Sequence, residues 1–236
     1  MLEAVRVVLT AYTASFRFPH FVGHQLTLPV PPLSTIYGLI SAAAGRWVKP
    51  SEVEWLAYRC EYEGKGMDME AIWTVERRKP HESARFETRN IIQREFLAMP
   101  CLTLYLPLGW TEVFRRPRYT LLLGRTQDVA TVESLQPTNL EFVGSGIVSG
   151  VLLPLELVMR NNVSVWLHSL PVAFTDEPQR RPLRVQVFGI VDARRGGEIS
   201  GADGWLVRDT QSGVILPLFR REWILHGRAE TVSEIR

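Results

Sequence analysis

Cysteine is nearly absent from this 236-residue chain: Cys60 and Cys101 stand alone, with no CxxC. That excludes a cysteine-built zinc site, and two isolated thiols read as ordinary core residues. The one close histidine pair, His20 and His24, sits among glycine and proline breaks without an HExxH context, so it gives no support to a metal centre. Paired-carboxylate metal motifs, a P-loop and a G-x-S-x-G nucleophile are all missing. The glycines of "GSGIVSG" (144–150) precede a strand and read as a bulge or turn rather than a phosphate cradle. No long uninterrupted apolar helix is written either. The charge-free run from Phe18 to Gly45 holds Pro19, Pro29, Pro31 and Pro32 together with His20, His24 and Gln25, which no spanning helix would tolerate. The opening "MLEAVRVVLTAYTAS" carries Glu3 and lacks a signal-peptide core. A soluble, cytoplasmic protein without membrane contact is expected. Repeats and low-complexity tracts are lacking too.

What is present is a globular composition, 46% hydrophobic and 22% charged, long enough for one large domain or two small ones. Lysine is scarce, three against 24 arginines, and the net charge is only +2. The distribution says more. Residues 77–94 carry six basic side chains against two acids, 115–125 four against none, and 180–195 five against one. Those windows sum to +12 and the rest of the chain to −10. Coding bias explains arginine over lysine but not the clustering. Arginine holds phosphates bidentately and stacks on bases, so three patches on an acidic body suggest a polyanion track.

Val5, Val7, Leu9 and Ala11 alternate with Arg6, Val8, Thr10 and Tyr12, the period of a strand. Pro31-Pro32 lead to Ser34, a good N-cap, and Ile36, Leu39, Ile40, Ala43 and Ala44 then form a helical stripe closed by Gly45. The other side of that helix, with Gly38, Ser41 and Ala42, permits close backbone approach. A strand of the same chain, an RNA phosphate at the helix start or another subunit would fit there, and close packing within the chain is the simplest. Ser51–Glu54 reads as a capping box over one short turn. Strands are expected at Leu56–Tyr62, Met69–Val75 and Cys101–Leu108, a short helix at Trp110–Arg118, and a short strand in "YTLLLG".

The order β, α, β, excursion, β, α, β over residues 1–125 predicts an α+β, ferredoxin-like or RRM-like unit. Residues 126–236 read as a smaller β-rich region, with strands at Ile147–Leu153, Val163–Leu167, Arg184–Val191, Gly213–Leu218 and Glu222–His226. The excursion between the strands, about residues 76–95, is basic and long. It interleaves Phe86 with Arg77, Arg78, Lys79, Arg85, Arg89 and Arg94, and ends near the polar readers Asn90 and Gln93. Such a loop fits phosphate neutralisation with base stacking, although a solvated hairpin would look similar. His81 lies in the same segment and reads as a phosphate neighbour before it reads as a catalyst.

Three stretches in this order, "FRFPHFVGHQLTLPVPPLSTIYGLISAAAG", "IIQREFLAMPCLTLYL" and "RPRYTLLLGRTQDVA", resemble the fifth family of CRISPR-associated (Cas) proteins, RAMP-superfamily subunits of the type I effector called Cascade, with a type I-B-like cast. "VILPLFRREWILHG" is similar to that family's closing segment. The resemblance implies an RRM-like RAMP domain with an extended thumb hairpin at about 76–95. It implies a non-catalytic subunit without cofactor or metal that caps the 5′ handle of the crRNA. It further implies contacts to the backbone and large subunits, and to target DNA indirectly, in an effector that recruits a nuclease-helicase or, in CRISPR-associated transposons, an integration machinery. By the same resemblance the RNA-binding residues would be Arg17 and Phe18 before the first helix, Ser34 at its start, Arg77, Arg78, Lys79, Arg85, Phe86, Arg89, Asn90, Gln93 and Arg94 on the thumb, and Arg115, Arg116, Arg118 and Arg125 near the handle. Two alternatives stand beside it. One is a metal-free endoribonuclease that processes pre-crRNA repeats through His20, His24 or His81; the other is a generic RRM-like reader stacking bases on Tyr12, Tyr58 or Tyr105.

Overall fold

The computed structural model describes residues 1–18, 24–76, 83 and 85–226, the side chains of 87–89 excepted. Strand β1 (Leu2–Ala11) realises the predicted alternation, with Val5, Val7 and Leu9 fully buried on one face and Arg6, Val8 and Thr10 on the other. Helix α1 (Leu33–Ala44) covers the apolar face by burying Leu33, Ile36, Tyr37, Leu39, Ile40 and Ala43. The helix begins before the expected cap. Pro32, at φ −60° and ψ 154°, is the boundary residue, and no side chain caps the end, so Ser34 is the second helical residue rather than the cap. Two prolines with fixed φ and no N–H can stand at a boundary where no donor is needed, and they set the start in place of a hydroxyl.

The other end follows expectation. Gly45 sits in the left-handed region at φ 71°, its N–H donating to the Ala42 carbonyl and that of Arg46 to the Ser41 carbonyl. The small residues here have an occupant. The backbone N–H groups of Arg118 and Tyr119 donate to the carbonyls of Ala43 (3.0 Å) and Ala42 (3.1 Å). A Cβ on Gly45 would lie 2.7 Å from that of Arg118. The tiny-residue end of α1 thus admits a loop of the same chain.

The remaining elements are β2 (Trp55–Glu61), β3 (Gly64–Glu76), β4 (Arg85–Ala98), β5 (Cys101–Pro107), α2 (Thr111–Arg115), β6 (Val129–Val143), β7 (Val151–Pro154), α3 (Leu155–Arg160), β8 (Trp166–Phe174), β9 (Pro182–Val191), β10 (Leu206–Asp209), β11 (Ile215–Pro217) and α4 (Arg221–His226), with shorter two- and three-residue strands between them. The molecule is mostly β. The main sheet runs β11-β10-β6-β1-β5-β2, each neighbour antiparallel, and ends on the short strand Phe219–Arg220 beside β2. Because Leu218 alone separates Phe219 from β11 at the opposite edge, the sheet is nearly closed. A smaller sheet, β7-β9-β8, packs its strand β8 against α1.

Both faces of the main sheet are filled. Under α1 lie Val5, Val7, Leu9, Tyr58, Leu102, Leu104 and Leu106. On the reverse, Ala4, Ala57, Tyr105 and Leu140 pack with Val148, Val151, Leu153, Leu206, Val207 and Leu216 from the C-terminal part. The boundary expected at residue 125 therefore cuts the main sheet: β6 lies beyond it yet pairs with β1 along the whole of that strand. Glu222–His226, expected as a strand, is helix α4. Consecutive Trp223 and Ile224 are both buried, which a strand's alternation could not arrange, and Trp223 meets Phe188, Phe219 and Trp205 in an aromatic cluster. Strands β6 and β10 and helix α3 were not expected. The basic excursion is the second half of a longer hairpin, β3 with β4, paired from Gly64↔Ala98 to Glu76↔Arg85.

Candidate nucleic-acid interface

The hairpin projects as an arm. Thirteen residues in β3 at roughly 3.3 Å each give it a reach of about 40 Å. Odd-numbered positions of β3 place Met67, Met69 and Trp73 on one face across from Glu95, Gln93 and Arg89. Even-numbered positions place Asp68, Glu70 and Ile72 across from Arg94, Ile92 and Asn90 on the other. Beyond Thr74 the register shifts, which brings Val75 opposite Phe86. Near its end Phe86 is 73% exposed and meets Trp73 edge to face, ring centroids 5.4 Å apart. Exposed apolar and aromatic side chains this far from either core contribute little to folding, and they supply rings on which a base can stack.

The root of the arm is held by charge. The Arg125 guanidinium reaches both Asp128 oxygens (2.9 and 3.0 Å), Glu70 at 2.9 Å and Asp68 at 3.2 Å, with its side chain only 9% exposed. Arg94 donates to the second Glu70 oxygen at 2.7 Å, and Lys65 meets Glu95 across the hairpin. Glu95 also accepts the Thr27 N–H at 3.0 Å, tying the arm to the entry of α1. Asp128 is fully buried and takes the Thr13 hydroxyl as well. Burial pushes its carboxyl up, but hydrogen bonds from Arg125, Thr13 and the Arg125 backbone outweigh that and hold it below the usual carboxylate range. The same contest holds Glu70 low, and its carboxylate partners drive the Arg125 guanidinium well above its ordinary value. Gly124 completes the root: at φ 117° it passes so close to Ser15 that a Cβ would stand 2.0 Å from the Ser15 carbonyl oxygen.

The residues predicted for RNA divide accordingly. Arg85, Phe86 and Asn90 are exposed on the arm, and Gln93 meets the His24 ring at 3.1 Å. Arg89 lies in β4 opposite Trp73 with its side chain outside the described residues. Arg77, Arg78 and Lys79, like His20 and His81, also lie outside them. Arg94 and Arg125 are engaged by carboxylates at the root. Arg17 is exposed on a short strand paired with Thr27–Leu28, whereas Phe18 packs against His168 with centroids 4.3 Å apart. Arg115, which pairs with Glu112, and Arg116 and Arg118 stand exposed on the loop that grips α1. Ser34 is half-buried in the first turn of α1, away from its expected role as the cap.

The stacking reading of a bare RRM sheet fails on geometry. Tyr58 and Tyr105 are buried, at 0% and 1% exposure. The Tyr58 hydroxyl donates to the Pro31 carbonyl and the Tyr105 hydroxyl to Asp209. Tyr12 stands 83% exposed at the end of β1. Among the described residues no group of three or more His, Cys, Asp or Glu side chains is placed to hold a metal ion, and no helix is long and apolar enough to cross a membrane.

Sequence reasoning missed Glu70, Glu95, Thr13 and Asp128 at the root and Asp209 on the sheet. Asp128, three residues from Arg125, carried a weak local signal; the others meet across long separations and carried none.

No family model and no curated protein matches the chain. Solved structures do. A chain of a CRISPR RNA-guided surveillance complex aligns at a TM-score of 0.50 and 15% identity, over 85% of this chain and 91% of that one. A chain of the Type III-B Cmr-beta complex bound to cognate target RNA and AMPPnP aligns at 0.52 and 8%, over 84% and 86%. A second structure of Cmr-beta bound to cognate target RNA aligns at 0.51 and 10%, over 83% and 86%. At such identities the likeness is one of fold, shared with chains of CRISPR RNA-guided complexes.

Proposed function

We propose that the chain is a non-catalytic, crRNA-binding subunit of a CRISPR RNA-guided effector, seated at the 5′ handle of the guide and docked on the effector's backbone and large subunits. The observation that carries this reading is the arm: a long hairpin on a fold shared with chains of CRISPR complexes, braced at its root by buried ion pairs and presenting the exposed rings of Trp73 and Phe86 towards its far end. The core strands β1, β2, β5 and β6 stand in the order 4-1-3-2 when numbered along the chain as 1, 2, 3 and 4, with α1 after the first and α2 after the third. We read this as the ferredoxin-like unit of the RAMP proteins, with the arm as its thumb. Arg85, Phe86, Asn90 and Arg89, together with Arg77, Arg78 and Lys79, would then face RNA or the first backbone subunit. Arg94 and Arg125 act as positioning residues that aim the arm.

The test incubates the purified chain in EDTA with labelled repeat RNA and with mature RNA carrying a 5′ handle, with and without the backbone subunit. Binding without cleavage, dependent on the handle and strengthened by the backbone subunit, is expected. Discrete cleavage within the repeat in EDTA would overturn the reading in favour of a metal-free processing enzyme. Replacing Arg77, Arg78 and Lys79 with alanine is expected to weaken crRNA retention and lower the log–log salt slope by roughly 0.7 for each phosphate left without its cation.

A further inference from the structure

Strand β6 is paired along its inner edge with β1, but its outer edge is covered only at the ends. Leu121–Leu122 pair with Val129–Ala130, and β10 pairs with Leu140–Val143. The loop after β10 adds two bonds, from the Thr210 N–H to the Asn139 carbonyl and from the Gln211 amide to the Pro137 carbonyl. Between them the outer-edge backbone groups of residues 131–136 have no partner among the described residues. These groups open into a groove of about 730 Å³ between residues 130–135 and the bank formed by residues 114–121. The bank is fixed, since Arg118 and Tyr119 are hydrogen-bonded to the end of α1. It is also cationic. Arg115, which pairs with the exposed Glu112, and Arg118 line the groove on this bank, and Glu133 lines it from the strand; Arg118 has no carboxylate partner among the described residues.

We infer that this edge takes up an extended, acidic peptide segment of a protein partner, as an added antiparallel or parallel strand. An unpaired strand edge offers donors and acceptors at the spacing of another strand. Here the ladder begun by Leu121–Leu122 would continue along residues 131–136, roughly 20 Å of backbone. The arginine bank faces the incoming side chains and selects acidic ones by charge complementarity. The edge is limited as well as open. Pro137 has no N–H to offer, and the register shift opposite Val8 and Leu9 leaves Glu133 as the extra residue of a bulge. Both features confine pairing to a short segment and oppose runaway edge-to-edge association. The surface is separate from the arm, so the inference stands whether or not the arm binds RNA.

The test uses the full chain and a synthetic peptide of about eight residues alternating glutamate and valine. Hydrogen exchange should show new protection of the amides at 131–136 when the peptide is added. Methylating the peptide's alternate backbone nitrogens on the pairing edge should abolish binding. The double variant Arg115→Glu/Arg118→Glu, with unchanged circular dichroism, should weaken it about tenfold or more, as two exposed ion pairs imply. Three results would each overturn the inference: no protection at saturating peptide, equal binding of the methylated peptide, or a uridine octamer producing this protection in the peptide's place, which would make the groove a nucleic-acid site.

Discussion

Arg125→Ala removes one side chain and leaves three carboxylates at the root of the arm without their common cation. The wild-type guanidinium is 9% exposed and bonds Asp128 twice, Glu70 and Asp68, while the Asp128 side chain is wholly buried. Breaking a buried pair by deleting one partner costs about 3–5 kcal/mol, because the remaining charge stays desolvated. The pH dependence sharpens the test. In the wild type Asp128 and Glu70 are held low, so their contribution is complete above the unfolded carboxylate values near 4 and is lost as pH falls through the lower folded values. In the variant, burial of Asp128 is no longer outweighed. Its folded pKa rises and protonation relieves the buried charge, so the stability gap should be widest at neutral pH and shrink toward pH 4. Urea unfolding followed by tryptophan fluorescence reads the gap directly. Adding Asp128→Asn should recover part of the loss at neutral pH. A gap under about 1 kcal/mol at neutral pH, or one constant down to pH 4, would place the cluster among ordinary surface pairs and refute the brace.

Asp209 is buried and pairs with Arg6; hydrogen bonds from Thr138, Ser212, the Gln211 N–H and Tyr105 outweigh burial and bring its carboxyl down to about 2. That contributes roughly 2 kcal/mol above pH 4, lost as pH falls toward 2, and Asp209→Asn should remove this acid-sensitive component from the stability curve. Gly38→Ala should raise stability by roughly 0.5–1 kcal/mol, since Gly38 is mid-helix and a Cβ there meets nothing within 4 Å; calorimetry showing a loss would mean that the helix is strained at this point. Gly124→Ala should cost more than about 2 kcal/mol, because φ 117° and the Ser15 carbonyl both exclude a side chain, and wild-type stability would refute the described approach.

The elements most legible in the sequence were those whose own period decided them. The alternation of Val5, Val7 and Leu9 and the stripe from Ile36 to Ala43 each describe a face that must be buried, and β1 and α1 followed. The arm was legible as a basic excursion but not in its length. Positions 64–75 alternate like a core strand, and only the exposure of Met67, Met69 and Trp73 in the structure shows that they leave the body. Residues 222–226 failed for the opposite reason: "EWILH" is too short for period to decide, and the aromatic cluster around Trp223 imposed a helix. Ser34 was a sound cap by type and was displaced by Pro32. Of the predicted site, net charge identified arginines but could not tell free from engaged ones, since Asp68, Glu70 and Asp128 approach Arg125 only once β3 folds back along β4.

That distinction bears on how the chain would hold a polyanion. A sheet that reads RNA on an open face needs exposed aromatics there, and here Tyr105, on the face away from α1, is closed over by β10 through Asp209. The C-terminal region therefore acts as a lining that stabilises the sheet and removes its face from use. Exposed arginines lie off that face: Arg85 on the arm, Arg115, Arg116 and Arg118 beside the end of α1, and Arg180, Arg181, Arg194 and Arg195 in the C-terminal region. An arm this long on two strands would be weakly ordered by its own ladder, and its root supplies the order through charges too deeply set to be screened as surface pairs are. Fixing Arg94 and Arg125 inside the protein thus gives up two cations to a ligand and gains a defined direction for the others, which favours binding by lowering the entropy lost when the arm meets its partner.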